Sequence, residues 1–209
     1  DSYFTWGWSD YDMPCYRGYM IKEKIIRNNN NNTLLLTLLD DHKYAMNLAA
    51  EPSYEQLIVE YIDSQKVFLN SLNTKILSNT IIKLGTNIEN DFYGNFIHER
   101  LKNSVNNSKI TFMNKSSSFN DLASHSNICV STYNATTFVE TIASDIPTVI
   151  FWNPEHNELT GKASKIFKLL TKTKIFHTCP ISAAHHINEI WSNPNKWWDS
   201  DELLEARNY

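Results

Sequence analysis

The chain has 209 residues, 42% hydrophobic and 12% aromatic, with 5 Gly and 6 Pro. That composition suits one globular domain and excludes collagen-like, mucin-like and wholly disordered classes. A formal net charge of -4 carries no electrostatic footprint for nucleic acid, and no apolar run reaches the roughly 18–20 residues that span a bilayer.

Residues 1–32 read as a lead-in segment. An aromatic cluster, Tyr3-Phe4-Thr5-Trp6-Gly7-Trp8, is followed by a stretch around Pro14 and Gly18 without clear period, then by the polar tract Asn28 to Asn32. Residues 33–209 alternate short apolar runs with helical patterns. Leu34 to Leu39 has strand length. After Pro52, residues Tyr54, Leu57, Ile58, Tyr61, Phe68, Leu69 and Leu72 recur with a period near 3.6 and predict a helix.

Thr80 to Leu84 predicts the second strand, and Phe92, Phe96, Ile97 and Leu101 the next helix. Ile110 to Met113 predicts the third strand. Ser118 with Asp121 three residues later is a capping-box variant that opens a short helix. Ile128 to Val130 is the fourth strand, followed by a helix with Phe138, Val139 and Ile142 on one face. After Pro147, Thr148 to Trp152 is the near-continuous apolar run of a strand buried on both faces. Leu159, Ala163, Ile166, Phe167 and Leu170 mark a helix, Lys174 to Phe176 the sixth strand, and Ala183 to Trp191 the helix after it. Six β/α alternations predict a Rossmann-like, doubly wound α/β fold: a parallel sheet of about six strands with helices on both faces.

Ligands of such a sheet bind beyond the carboxyl ends of its strands. The stretch Val130 to Glu140 is a strand, a small polar turn containing Thr132 and Asn134, and a helix start with Thr136 and Thr137. Unpaired N–H groups and hydroxyls there suit a phosphate, even in an acidic chain. Glu140, one turn further on, is placed to accept from a ribose or sugar hydroxyl. The plain alternative is that Asn134 or Thr136 merely caps the helix and Glu140 is solvated. Lys83, just before Gly85, suits a diphosphate as a point charge, or is a surface Lys at a strand end. His156, in the polar loop after the buried strand, is a candidate acid/base or phosphate contact, or a solvated residue.

His185 and His186 are adjacent in a helix and face different directions, and Asp40-Asp41-His42 has no partner at metal-ligand spacing, so no metal site is expected. There is no Gly-x-Ser-x-Gly elbow, Walker loop or Gly-x-Gly-x-x-Gly. Trp6, Trp8, Trp197 and Trp198 read as packing anchors ahead of the alternative, stacking platforms for bases. Three cysteines, Cys15, Cys129 and Cys179, form no CxxC and cannot all pair within the chain, which suggests a reducing compartment. The Asn-x-Ser/Thr triplets at Asn31, Asn106, Asn114 and Asn134 are expected by chance in an Asn-rich chain.

The run Ser131 to Glu140, with Ile146 to Pro154 after it, resembles the surface-polysaccharide transferase family first catalogued in Leptospira. Tyr3 to Trp8, Asp91-Phe92-Tyr93-Gly94, and the tail from Ile175-Phe176-His177 through Ser182-Ala183-Ala184 to Trp191 and Trp197-Trp198 are similar to the same family. The resemblance covers essentially the whole chain. It implies a glycosyltransferase of the GT-B kind, with this chain as the C-terminal, nucleotide-sugar donor-binding domain and an upstream acceptor domain outside it.

On that resemblance Thr132, Asn134, Thr136 and Thr137 surround the donor phosphate, Lys83 contacts phosphate, and Glu140 holds ribose or sugar hydroxyls. Related transferases often carry a basic residue followed by His-Pro near that strand end, where this chain has Lys83-Leu84-Gly85-Thr86. The expected reaction moves a sugar from a nucleotide-activated donor to a growing surface polysaccharide, with no cofactor and no metal. The catalytic base is expected in the upstream domain, so the isolated chain is expected to bind nucleotide weakly and to transfer nothing. Expected partners are the nucleotide sugar and a glycan acceptor. The expected location is the cytoplasm, with peripheral association at the inner face of the membrane compatible with it. A glycerophosphate transferase or nucleotide-sugar epimerase on the same fold, or a non-catalytic nucleotide-binding scaffold, are the alternatives.

Overall fold

The structure is a computed structural model, described here for residues 3–5, 15–17, 24–28, 32–39, 55–85, 88, 92–105, 110–156, 159 and 161–208. Two three-residue strands, β1 (Tyr3–Thr5) and β2 (Cys15–Arg17), pair in parallel with Tyr3 opposite Cys15. Three residues are too few for an alternation to register in the sequence, which is why this segment reads as irregular there. The clusters around Trp6–Trp8 and Asp40–His42 lie outside the described residues, as does the start of the Pro52 helix.

The main body runs β3 (Leu34–Thr37), α1 (Glu55–Ser71), α2 (Thr74–Leu77), β4 (Thr80–Lys83), α3 (Phe92–Ser104), β5 (Thr111–Met113), α4 (Phe119–Ser124), β6 (Ile128–Ser131), α5 (Thr136–Ala143) and β7 (Thr148–Phe151). A 3-10 turn at Pro154–His156 follows, then α6 (Gly161–Lys172), β8 (Phe176–His177), α7 (Pro180–Ile190), α8 (Pro194–Trp198) and α9 (Asp201–Asn208). The six strands β3 to β8 form one sheet in the order β5-β4-β3-β6-β7-β8, with every pairing parallel. The chain winds outward from β3 to β5, returns to the other side of β3, and winds outward again. The reversal falls between β3 and β6, where the helices that leave adjacent strands diverge and open a crevice.

Side-chain alternation along each strand divides the core in two. Leu34, Leu36, Ile128, Val130, Val149 and Phe151 face one side, where they meet Ile62, Phe68 and Leu69 of α1, Ile97 and Leu101 of α3, and Ala183, Ala184 and Ile187 of α7. Leu35 and Cys129 face the other side, against Ala123 of α4. Ile150 joins that side with Phe138 of α5, Leu170 of α6, Trp198 of α8 and Leu203 of α9. All four residues of β3, β6 and β7 are buried, as expected of parallel strands covered on both faces.

The local signals hold in detail at several places. Ser118 is the N-cap of α4, and its hydroxyl accepts from the Asp121 N–H. Trp198 is almost fully buried and donates its indole N–H to Asp145 Oδ1, while the Trp197 indole donates to the Thr173 carbonyl. The sixth strand differs from its sequence reading of Lys174 to Phe176. Lys174 has φ of 60°, and the Ile175 N–H donates to Leu170 O at 2.9 Å, so residues 174 and 175 close α6 and pairing begins at Phe176.

Candidate functional site

A cleft of about 250 Å³ opens at the reversal point, lined by Thr37, Leu38 and Leu39 at the end of β3, Lys83 to Gly85 at the end of β4, Phe119 of α4, Tyr133 of the turn after β6, and Thr136, Thr137 and Glu140 of α5. Four of the residues singled out from sequence thus converge: Lys83, Thr136, Thr137 and Glu140. The helix start at this cleft has no side-chain cap. Its N-cap is Ala135, not Asn134 or Thr136, and no side-chain hydrogen bond closes the first turn. Asn134 is exposed and is not among the residues lining the cleft.

Glu140 is 5% exposed, which removes the reading of it as a solvated residue. It begins the second turn of α5, and it lines the cleft as a buried residue of that helix. Lys83 is not a freely moving surface cation either. Its ammonium donates to Leu84 O at 2.6 Å and to Asn114 O at 2.9 Å, which fixes a positive charge at the mouth of β4 and β5. Thr137 pairs its hydroxyl with the Tyr133 hydroxyl at 2.9 Å, so the turn and the helix start are braced together.

Thr132 is 1% exposed and lies behind the cleft. Its hydroxyl donates to Thr37 O at 3.0 Å, and the Thr37 hydroxyl donates to Val130 O at 3.0 Å. With its proton committed to a carbonyl, Thr132 Oγ1 is the acceptor in its 2.5 Å contact with the Tyr61 hydroxyl. Tyr61 Oη in turn accepts from the Leu39 N–H at 2.7 Å. One directed chain, Leu39 to Tyr61 to Thr132 to Thr37, therefore ties β3, α1 and β6 together at the base of the crevice. Tyr61 carries no motif. The sequence signal for it is a phenol within an apolar helix stripe, since a buried hydroxyl needs a partner.

His156 ends the 3-10 turn after β7, and its side chain lies outside the described residues. His185 is exposed and His186 buried, so the adjacent pair faces apart. Among the described residues no group of three or more His, Cys, Asp or Glu converges on one point. Burial pushes the Cys129 thiol up to about 12, so it remains a protonated core residue. Among the described residues no helix is long and apolar enough to cross a membrane.

A cleft at the reversal point of a doubly wound sheet, with a fixed cation, an uncapped helix start and a buried carboxylate, suits an anionic ligand that also carries hydroxyls. The family described as LIC12162 family transferase matches residues 1–209. The chain belongs to this family. No curated protein matches it. The cleft of this LIC12162 family transferase combines an uncapped helix start with the parallel-sheet reversal of the described fold.

Proposed function

We propose that this chain carries the donor-binding site of a GT-B type glycosyltransferase that moves a sugar from a nucleotide-activated donor to a growing surface polysaccharide. The observation that carries the reading is the convergence of Lys83, the α5 helix start with Thr136 and Thr137, and Glu140 on one cleft. On this reading the donor phosphates lie between the Lys83 ammonium and the N–H groups of α5. Glu140 accepts from hydroxyls of the ribose or sugar.

An acceptor hydroxyl attacks the anomeric carbon, the bond from that carbon to the phosphate oxygen breaks, and the phosphate leaves with the electron pair. Lys83 and the positive end of α5 stabilise the charge that builds on the leaving oxygen, a role that needs no divalent cation. The acceptor and the base that takes its proton are assigned to a further, upstream domain of the GT-B arrangement.

Calorimetric titration with CMP, UDP, GDP and CDP tests this. One nucleotide is expected to bind selectively, equally well in EDTA, and Glu140→Ala to weaken it about tenfold or more, as for a lost hydrogen bond to a charged group. Equal affinity in wild type and variant would remove Glu140 from the site.

A further inference from the structure

Charge is divided unevenly along the chain. From Leu159 to Asn188 there is no Asp or Glu, and five lysines fall there: Lys162, Lys165, Lys168, Lys172 and Lys174. Those five positive charges stand against -9 on the rest of the chain, which makes the total -4. Four of the five lie in α6, whose inner side carries Phe167 and Leu170 into the cluster of Trp152, Phe176 and Trp198. Lys165, Lys168 and Lys172 are three and four residues apart, so they share one face of the helix, and all three are exposed. The row extends about 10 Å along the helix axis. Ile166, 39% exposed, lies on its flank.

The row does not serve the helix itself. Like charges at these spacings repel each other. Among the described residues no carboxylate pairs with Lys165, Lys168 or Lys172, whereas Lys174 pairs with Glu189 at 3.6 Å. The helix macrodipole favours Lys172 in the last turn but disfavours Lys162 in the first. None of these lysines lines the larger cleft. Such a face destabilises α6 slightly and gains from an external array of negative charge. The residue types select the array. Lysine is a compact point charge without the planar fork with which arginine reads a phosphate or base edge. Among the described residues of α6 no aromatic ring is exposed for stacking on a base. Ammonium groups on flexible stems beside one exposed aliphatic side chain suit a fluid layer of anionic headgroups.

We infer that the outer face of α6, with Lys165, Lys168, Lys172 and Ile166, docks the chain reversibly on an anionic phospholipid surface. The surface is separate from the larger cleft, and the inference does not rest on the donor reading of that cleft.

Co-sedimentation with vesicles of phosphatidylcholine alone, and of phosphatidylcholine mixed with phosphatidylglycerol, tests this. The wild type is expected to bind the anionic vesicles, to leave the neutral ones, and to be released by high salt. Each lysine near an anionic surface contributes about fivefold to affinity. The triple variant Lys165→Gln, Lys168→Gln, Lys172→Gln is therefore expected to bind on the order of 100-fold more weakly. Its melting temperature should be unchanged or higher, because the repulsion along α6 is gone. A second triple variant, Lys75→Gln, Lys102→Gln, Lys115→Gln, removes the same charge from α2, α3 and the turn after β5, and is expected to bind like the wild type. Equal binding by the two triple variants would overturn the inference, as would a wild type that does not distinguish anionic from neutral vesicles. Retention of a single-stranded RNA probe through the α6 lysines, without vesicle binding, would also overturn it and assign the face to nucleic acid.

Discussion

At the scale of single residues, the informative positions are polar groups removed from water. His186 is 4% exposed, stands edge-on to Trp197 at 4.7 Å, and lies 5.5 Å from the His177 ring. Burial, with lesser contributions from His177 and Lys174, holds its pKa down to about 4 against the opposing pull of Glu189. Burial also lowers His177, whose Nε2–H donates to Lys174 O, so that Nδ1 accepts from the Ser182 hydroxyl. Both groups are neutral in the folded chain at neutral pH, whereas in the unfolded chain they titrate near about 6.5. The unfolded state therefore binds more protons between those values. Stability is full above about pH 6.5 and declines as the pH falls towards 4. Melting temperatures measured between pH 7 and 5 should show this decline, and His186→Phe should flatten it. An unchanged slope would place the effect on other groups.

At the scale of elements, the two helix starts α4 and α5 make a useful contrast. α4 is closed by Ser118, whereas α5, which faces the cleft, has Ala135 at its N-cap and no side-chain acceptor for its first N–H groups. Adding one should stabilise the helix and occupy the donors that a phosphate would use. Ala135→Asp is thus expected to raise stability by about 0.5–1 kcal/mol. It should also weaken nucleotide binding, because it places a negative charge where the ligand's charge belongs. Chemical denaturation and calorimetry on the same variant separate the two effects. A gain in stability with undiminished affinity would move the phosphate away from α5.

At the scale of the whole molecule, the last two helices close one face of the sheet. Trp198 and Leu203 pack with Phe138, Ile150 and Phe176, and Asp145 accepts from the Trp198 indole and pairs with Arg207 of α9. Because Phe138 belongs to α5, this cluster supports the helix whose start forms the cleft. Removing residues 194–209 uncovers that cluster and deletes a fully buried Trp, a loss of about 3–5 kcal/mol from the Trp alone. Set against the total stability typical of a domain, about 5–15 kcal/mol, the truncated chain should lose cooperative unfolding by circular dichroism. A sharp, native-like transition would show that α8 and α9 are dispensable for the fold.

The sequence by itself determined the layer architecture, because continuous apolar runs of strand length such as Leu34–Leu39 and Thr148–Trp152, and the helical stripes of period 3.6 between them, are local patterns. It also determined the Ser118 cap and the polar turn before α5, both set within a few residues. Only the tertiary structure decided which strand ends share a cleft, because β3 and β6 are distant in the chain and become neighbours through the order of the sheet. That order brings Lys83 to Thr136, Thr137 and Glu140, buries the Glu140 carboxylate, and turns Thr132 inward to the Thr37 carbonyl, 95 positions away in sequence. It likewise places Tyr61, which looks like an ordinary member of a helix face, against Leu39 and Thr132 at the base of the crevice. Periodicity shows that a residue faces inward, and the packing of distant elements decides what it meets there.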